Sequence, residues 1–445
     1  MINSTVMEGV WWVKGKEDDK FVGILSYAEG YKPVLEIFAK KREHGTQKFP
    51  IGSVIYGDVI KQKDSSSKHT KVLAVTLLGC SSQISPGFQE VGAYIYNHEH
   101  VYVDCVVIGM LLNEDEIQQV MHPQRIFLEC PNLDEYSDQN TAEIIWKDEA
   151  PTGENKVYLV MDTKEVIVRQ PDPIVIQLDV GVITIILAQI PSQRGVKSTY
   201  TIQIELDDPM PEEECNTLIY NQLLSFISVL SGTKATYSNH SISIISNQTR
   251  SKRLSLVLHY GHRFSDMPNV IDKSKLLIWG HEDNLEKMPL LFSNWRKNYQ
   301  SIEPLISPYM RILEDTRWIY NDHLLDSIKM IEEYAIRKNI VSVDTDKTDI
   351  ERRFIAVMSY IQQGGLSYFQ DAHISKIANQ IRIFRNKGSH ARNRETLLYS
   401  TQEIYGTLVL IVRSLFLIEM GFPNINVAYD NWLDLRQLIP KVITE

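Results

Sequence analysis

The hydrophobic pattern changes period near residue 288, and no single layer of secondary structure accommodates both halves. From residue 8 to about 206, apolar residues come in short runs separated by turn signals, at 21–27, 34–38, 72–78, 91–96, 101–108, 157–161, 166–168, 182–187 and 199–206. These runs are rich in Val, Ile, Thr and Tyr and bounded by Gly, Pro, Asn, Asp or Ser, which predicts strands. The polar stretch 62–70, QKDSSSKHT, reads as a loop between two of them. One helix is expected inside this region. Asp208 and Pro211 open it, three glutamates sit at its positive end, and Gly232 closes it. Strand-like runs return at 241–245 and 254–259.

Beyond residue 288 the spacing becomes helical. The stripes Leu324/Leu325/Ile328/Ile331/Ala335, Ile350/Phe354/Val357/Met358/Ile361, Ile374/Ile377/Ile381/Phe384 and Leu397/Ile404/Leu408/Ile411/Leu415/Ile418 predict four amphipathic helices, the last ending at Gly421. Short connections make them a bundle. Pro289, Pro304 and Pro308 predict broken helical connectors ahead of it. The expected fold is therefore α+β and multidomain: a β-rich region over 1–287, possibly divided into two subdomains, a helical connector over 288–315 and an all-α bundle over 316–445.

Composition narrows the function. The 445 residues allow two or three domains at about 150 residues each. Lys and Arg total 46 against 56 Asp and Glu, a net charge of −10, which argues against nucleic-acid binding by the whole surface but not by a local patch. The four cysteines are far apart, with neither zinc spacing nor a disulfide framework, as in a reducing cytosol. The N-terminus lacks a basic segment followed by an apolar one, so no secretion signal is expected. The apolar runs 173–190 and 408–418 are interrupted by Gln177, Asp179 and Arg413 and fall short of the roughly 18 uncharged residues of a membrane span. A cytoplasmic protein without membrane contact is the expectation.

The phosphate loop G-x4-G-K, G-x-G-x-x-G, H-E-x-x-H and the nucleophile elbow are all absent from the sequence. His98 and His100 share a strand face, so a metal pair with Asp104 and two surface histidines in a hairpin are both open readings. His259 and His262 have no Cys or carboxylate placed by sequence to complete a site. No metal or other cofactor is assigned. The segment 371–394, DAHISKIANQIRIFRNKGSHARNR, stands out instead. It carries Lys376, Arg382, Arg385, Lys387, Arg392 and Arg394 against Asp371 alone, which suits phosphate contacts and also suits a solvated helix face.

Within it, Arg385 and His390 are separated by four residues. A loose Arg-x4-6-His pattern also joins Arg253 to His259 and Arg317 to His323, so spacing alone decides nothing. Only the third pair has a following Asn386, a basic setting and a place late in the third helix of a four-helix unit. Here the chain resembles the HEPN superfamily (higher eukaryotes and prokaryotes nucleotide-binding), whose ribonuclease members carry Arg-x4-6-His late in a helical bundle. Residues 316–422 look like such a domain. The string Ile331-Glu332-Glu333-Tyr334 resembles an early helix of the ApeA-type branch, and LVLIVRSLFLIEMGF its closing helix. GVWWVKGKEDDKFVGILSY and TLLGC resemble the N-terminal domain of ApeA-like anti-phage defence proteins.

The resemblance implies an abortive-infection effector: a metal-independent endoribonuclease that cleaves tRNA or other host RNA under control of an N-terminal sensing region and a phage-derived trigger. Histidine titrates near neutrality and Arg holds two phosphate oxygens at once, so His390 is the expected acid/base group and Arg385 the phosphate clamp. Asn386 supplies hydrogen bonds and Glu332 orients a cationic partner. Lys376, Arg382, Lys387, Arg392 and Arg394 are the expected RNA contacts. On an ideal helix, Arg385 and His390 lie about 140° apart, and Gly388 is expected to end or distort it. Each chain supplies one such His, so a homodimer or higher homo-oligomer through the bundle is expected. A noncatalytic bundle that binds a nucleotide, nucleic acid or protein is the alternative; a catalytic β-rich half has no carboxylate pair or metal cluster to support it.

Overall fold

The computed structural model describes residues 4–28, 32–40, 52–61, 71–83, 88–91, 94–130, 133, 142–145, 156–161, 164–169, 172–192, 195–232, 234–235, 237, 239–245, 251–258, 282–314, 321–341, 350–367, 369–389 and 397–426. The stretch 62–70 lies outside them. The chain begins as a closed antiparallel barrel. β1 (Ser4–Val13) pairs with β2 (Phe21–Ala28) and β4 (Ser53–Lys61); β2 pairs with β3 (Val34–Lys40), β3 with β7 (Tyr94–Tyr102), and β5 (Lys71–Gln83) with both β4 and β7. The inward side of the period-two alternation fills the barrel with Trp11, Leu25, Leu35, Ile37, Ile55, Val59, Val75, Leu77 and Val101. Gly57 faces Trp11 across β1 and β4, and a Cβ there would sit 2.2 Å from the indole. The glycine is thus the space that the ring occupies, and Trp11 Nε1 donates to the Gly23 carbonyl at 3.0 Å.

One edge of β5 serves two partners. Residues 75–78 pair with β8 (Cys105–Ile108), whereas 81–83 pair with β7. Between them Gly79 takes φ +67°, and a Cβ would lie 2.2 Å from Asp104 Oδ2. This left-handed residue stands where β5 passes from one partner to the other. The run 101–108 therefore spans the end of β7 and the whole of β8 instead of one strand. The run 91–96 likewise spans β6 (Phe88–Val91) and the start of β7, which pair with each other from Val91 and Tyr94.

β8 leads into a second antiparallel layer ordered β8, β17 (Ser251–Leu258), β16 (Asn239–Ile245), β9 (Arg125–Glu129), β15 (Gly195–Leu206), β14 (Gly181–Ser192) and β13 (Ile174–Gln177). A three-stranded sheet is formed by β10 (Ala142–Ile145), β12 (Lys164–Arg169) and β11 (Lys156–Met161). The expected embedded helix is present as α2 (Glu212–Cys215), a π turn (Asn216–Tyr220) and α3 (Asn221–Ser231), with Pro211 at its start and Gly232 at φ +65° closing it. The expectation of a single helix in this half is corrected. α1 (Glu114–Met121) is a second, started by a reciprocal capping box in which Glu116 N–H donates to Asn113 Oδ1 at 2.9 Å and Asn113 N–H to Glu116 Oε2 at 3.0 Å.

α4 (Glu282–Glu314) corrects the broken connector: it is one helix of 33 residues despite Pro289, Pro304 and Pro308. An interior proline costs about 3 kcal/mol, and burial of large aromatic side chains outweighs it. Phe292 lies 5.1 Å from Phe226 of α3, while Trp295 and Tyr309 lie 5.4 and 5.2 Å from Phe416, so one hydrophobic core runs from the sheet into the bundle. The four predicted helices follow: α5 (Asn321–Arg337), α6 (Ile350–Gln363), α7 (Asp371–Ser389) and α8 (Thr401–Met420), the last capped by Ser400 with Glu403 and ended by Gly421 at φ +70°. The architecture is α+β, with a β-rich N-terminal part and a helical C-terminal part. No helix among the described residues is long and apolar enough to cross a membrane. α8 buries Arg413, and that burial lowers its guanidinium to about 10.

All four cysteines are buried and none is in a disulfide. Burial first, then Asp104, pushes the Cys80 thiol up to about 12, and burial also raises Cys105. Both therefore stay protonated and unreactive at pH 8. The native protein is expected to show no fast thiol with an aromatic disulfide reagent at that pH, and four after denaturation. A rapidly titrating native thiol would contradict this packing.

Candidate functional site

Three helices of the C-terminal part converge on one carboxylate. Glu332 of α5 lies on the same inward side as Ile328, Ile331 and Ala335 and is 5% exposed. A carboxylate placed there needs cationic partners. Arg353 of α6 donates from Nη1 to Glu332 Oε1 at 3.1 Å. Arg385 of α7 places Nη2 3.5 Å from Glu332 Oε2. Arg353 is itself buried, while the Arg385 side chain is 28% exposed and so stands at the rim. Two cations on one anion leave a net charge of +1, with Arg385 as its accessible end. A guanidinium so placed suits a phosphate oxygen.

The structure brings Arg385 and Glu332 together, as the sequence suggested. Arg353 was missed. Its signal was its position: with Ile350, Phe354 and Val357 it completes an i, i+3, i+4, i+7 stripe, and a charge on such a stripe calls for a buried partner. Asn386, half-buried, follows Arg385 on α7. Arg382 is engaged by Glu351 Oε2 at 3.2 Å and by Asn379 Oδ1 at 2.7 Å. Lys376 is exposed, with Nζ 6.0 Å from the Tyr399 ring centre. α7 runs through Gly388 to Ser389, so the expectation that this glycine ends the helix is corrected. The Lys387 side chain, His390, Arg392 and Arg394 lie outside the described residues.

Of the histidine pair of the β-rich part, the side chain of His100 is described. His100 faces Glu36 at 3.5 Å and Asp104 pairs with Lys32 at 2.5 Å, and no group of three metal-ligating side chains occurs among the described residues. The His98 side chain, His259 and His262 lie outside them. A second polar cluster sits under the π turn, where the Tyr220 hydroxyl lies 3.3 Å from Glu212 Oε2 and 3.5 Å from His240 Nε2. His240 is 1% exposed, which keeps this cluster away from any substrate.

Residues 7–295 match the family model described as ApeA N-terminal domain 1. No curated relative and no solved structure matches the chain.

Proposed function

The chain belongs to the ApeA family by its N-terminal domain over residues 7–295, and from that premise we propose an anti-phage defence protein whose helical part is a HEPN-type endoribonuclease. The observation that carries the nuclease reading is the meeting of Arg385 with buried Glu332 across two helices, at 3.5 Å. In this reading Arg385 holds the scissile phosphate and Asn386 donates or accepts hydrogen bonds beside it. His390 removes the proton from the 2′-hydroxyl or returns one to the departing 5′-oxygen. One chain supplies one such histidine, so two chains facing each other across a cleft supply both the acid and the base. RNA follows the α7 side through Lys376, Lys387, Arg392 and Arg394; Arg382, already paired with Glu351, adds less charge. The β-rich part senses a phage-derived trigger and restrains the nuclease until then.

Cells expressing the full chain, challenged with phage and profiled for total RNA, test this. Expected are new fragments that end in 2′,3′-cyclic phosphate, because the 2′-oxygen is the nucleophile. The protein purified from phage-challenged cells is expected to produce the same ends in the presence of a chelator. Fragments with a plain 3′-hydroxyl, or cleavage that returns only with one added divalent ion, would move the chemistry elsewhere. RNA binding with no cleavage in either setting would favour a noncatalytic bundle.

A further inference from the structure

Two guanidinium groups share Glu332, but not its oxygens. Arg353 hydrogen-bonds Oε1 at 3.1 Å, whereas Arg385 stands 3.5 Å from Oε2, longer than the roughly 2.7–2.9 Å of a full charge-assisted bond. The difference follows from where each side chain comes from. Arg353 reaches the carboxylate from the inward stripe of α6 and is 7% exposed, so it is committed to the interior. Arg385 follows Phe384 at the rim of α7.

A carboxylate with both oxygens open and one guanidinium in reach favours the two-pronged pair, in which both terminal nitrogens face the anion. Were Glu332 left to Arg385 alone, that pair would draw Arg385 inward and cancel its charge. With Arg353 on Oε1, the carboxylate is already neutralised and one oxygen is taken. Arg385 is then held by one long contact, and its outer edge stays available to an anion.

We propose that Arg353 is a positioning residue: it occupies Glu332 so that Arg385 is oriented by that carboxylate without being captured by it. The identity of the anion as an RNA phosphate rests on the nuclease reading above. Arg353 itself is too buried to touch RNA. Its removal should therefore look like loss of a phosphate contact made by another residue, and removal of the Glu332 charge should reverse that loss.

The experiment is the salt dependence of binding of the full-length protein to a short, fluorescein-labelled, 2′-O-methyl single-stranded RNA, which lacks the attacking hydroxyl. Each phosphate contact contributes about 0.7 to the slope of log K against log salt for single strands. Expected is a slope shallower by about 0.7 for Arg353→Gln, equal to that of Arg385→Ala, and a wild-type slope for the Arg353→Gln/Glu332→Gln double variant. A smaller folded fraction lowers the amplitude without altering the slope, so a merely structural role for Arg353 leaves it at the wild-type value. If Arg353→Gln does not fold, Arg353→Lys keeps the charge on Oε1 and is expected to keep the wild-type slope; a shallower one overturns the inference. An unchanged slope in Arg353→Gln beside a reduced one in Arg385→Ala overturns this inference alone. An unchanged slope in both overturns the nuclease reading and this inference with it.

Discussion

His390→Ala is expected to lower the rate of RNA cleavage by roughly 10²–10⁴-fold, the range for removing a positioned acid/base group. The expected chemistry explains the size. Without the imidazole, neither the 2′-hydroxyl proton nor the proton for the leaving oxygen has a carrier that titrates near neutrality. Arg385→Ala should come close to the same loss by removing the charge that meets the phosphate, although it touches no proton. Single-turnover cleavage of a labelled RNA by wild type and variant purified from phage-challenged cells, with circular dichroism as the folding control, measures both. Cleavage by His390→Ala at the wild-type rate would sink the assignment of the acid/base group, whatever the behaviour of Arg385.

The largest expected effect on stability is at Glu419. This glutamate, 3% exposed near the end of α8, accepts from the Tyr334 hydroxyl at 2.7 Å and from Lys338 Nζ at 2.6 Å, with the Tyr360 hydroxyl at 3.4 Å. Lys338 also reaches Asn298 of α4 at 3.3 Å, so the carboxylate links four helices. Burial first, and then the charge of Glu419, holds the Tyr334 phenol above its ordinary value, which keeps it a donor throughout the physiological range. Glu419→Ala leaves an ammonium and two phenols without their shared acceptor, a change that costs about 3–5 kcal/mol when a buried pair is broken. Glu419→Gln retains an acceptor and should lose less. Denaturant unfolding followed by helical signal is the measurement. A loss below about 1 kcal/mol for Glu419→Ala would mean that the network is solvated and carries little.

The two effects separate by position. Glu419 joins α4, α5, α6 and α8, whereas Glu332 joins α5, α6 and α7 where Arg385 emerges. Each buried carboxylate is held by cations or hydroxyls from other helices. At Glu332 the partly exposed partner, Arg385, is held by one 3.5 Å contact, whereas at Glu419 the equally exposed Lys338 makes a full 2.6 Å bond. That asymmetry distinguishes a stabilising cluster from a candidate site.

What the sequence determined by itself was local. A period of two followed by a period of 3.6 sets the α+β arrangement, since each period admits one face to a core. Pro211, Gly232 and Gly421 mark helix ends because proline and left-handed glycine act within one turn. The ApeA-type N-terminal domain was also legible, from strings that fall inside the matched residues 7–295. α1 was legible in principle, through Asn113 and Glu116, but its eight residues gave too short an apolar stripe.

The tertiary structure decided what depends on residues far apart. Barrel closure needs β5 to pair with β7 after Gly79, while the residues before it pair with β8 of the next layer, a change of partner that neither strand's composition displays. α4 stays whole through three prolines because Phe292, Trp295 and Tyr309 are buried on both sides of it, and propensity is a weaker force than that packing. Arg353 joins Glu332 and Arg385 for the same reason: three helices meet at one buried charge, and the energy of a buried ion depends on its neighbours in space, which no spacing along the chain displays.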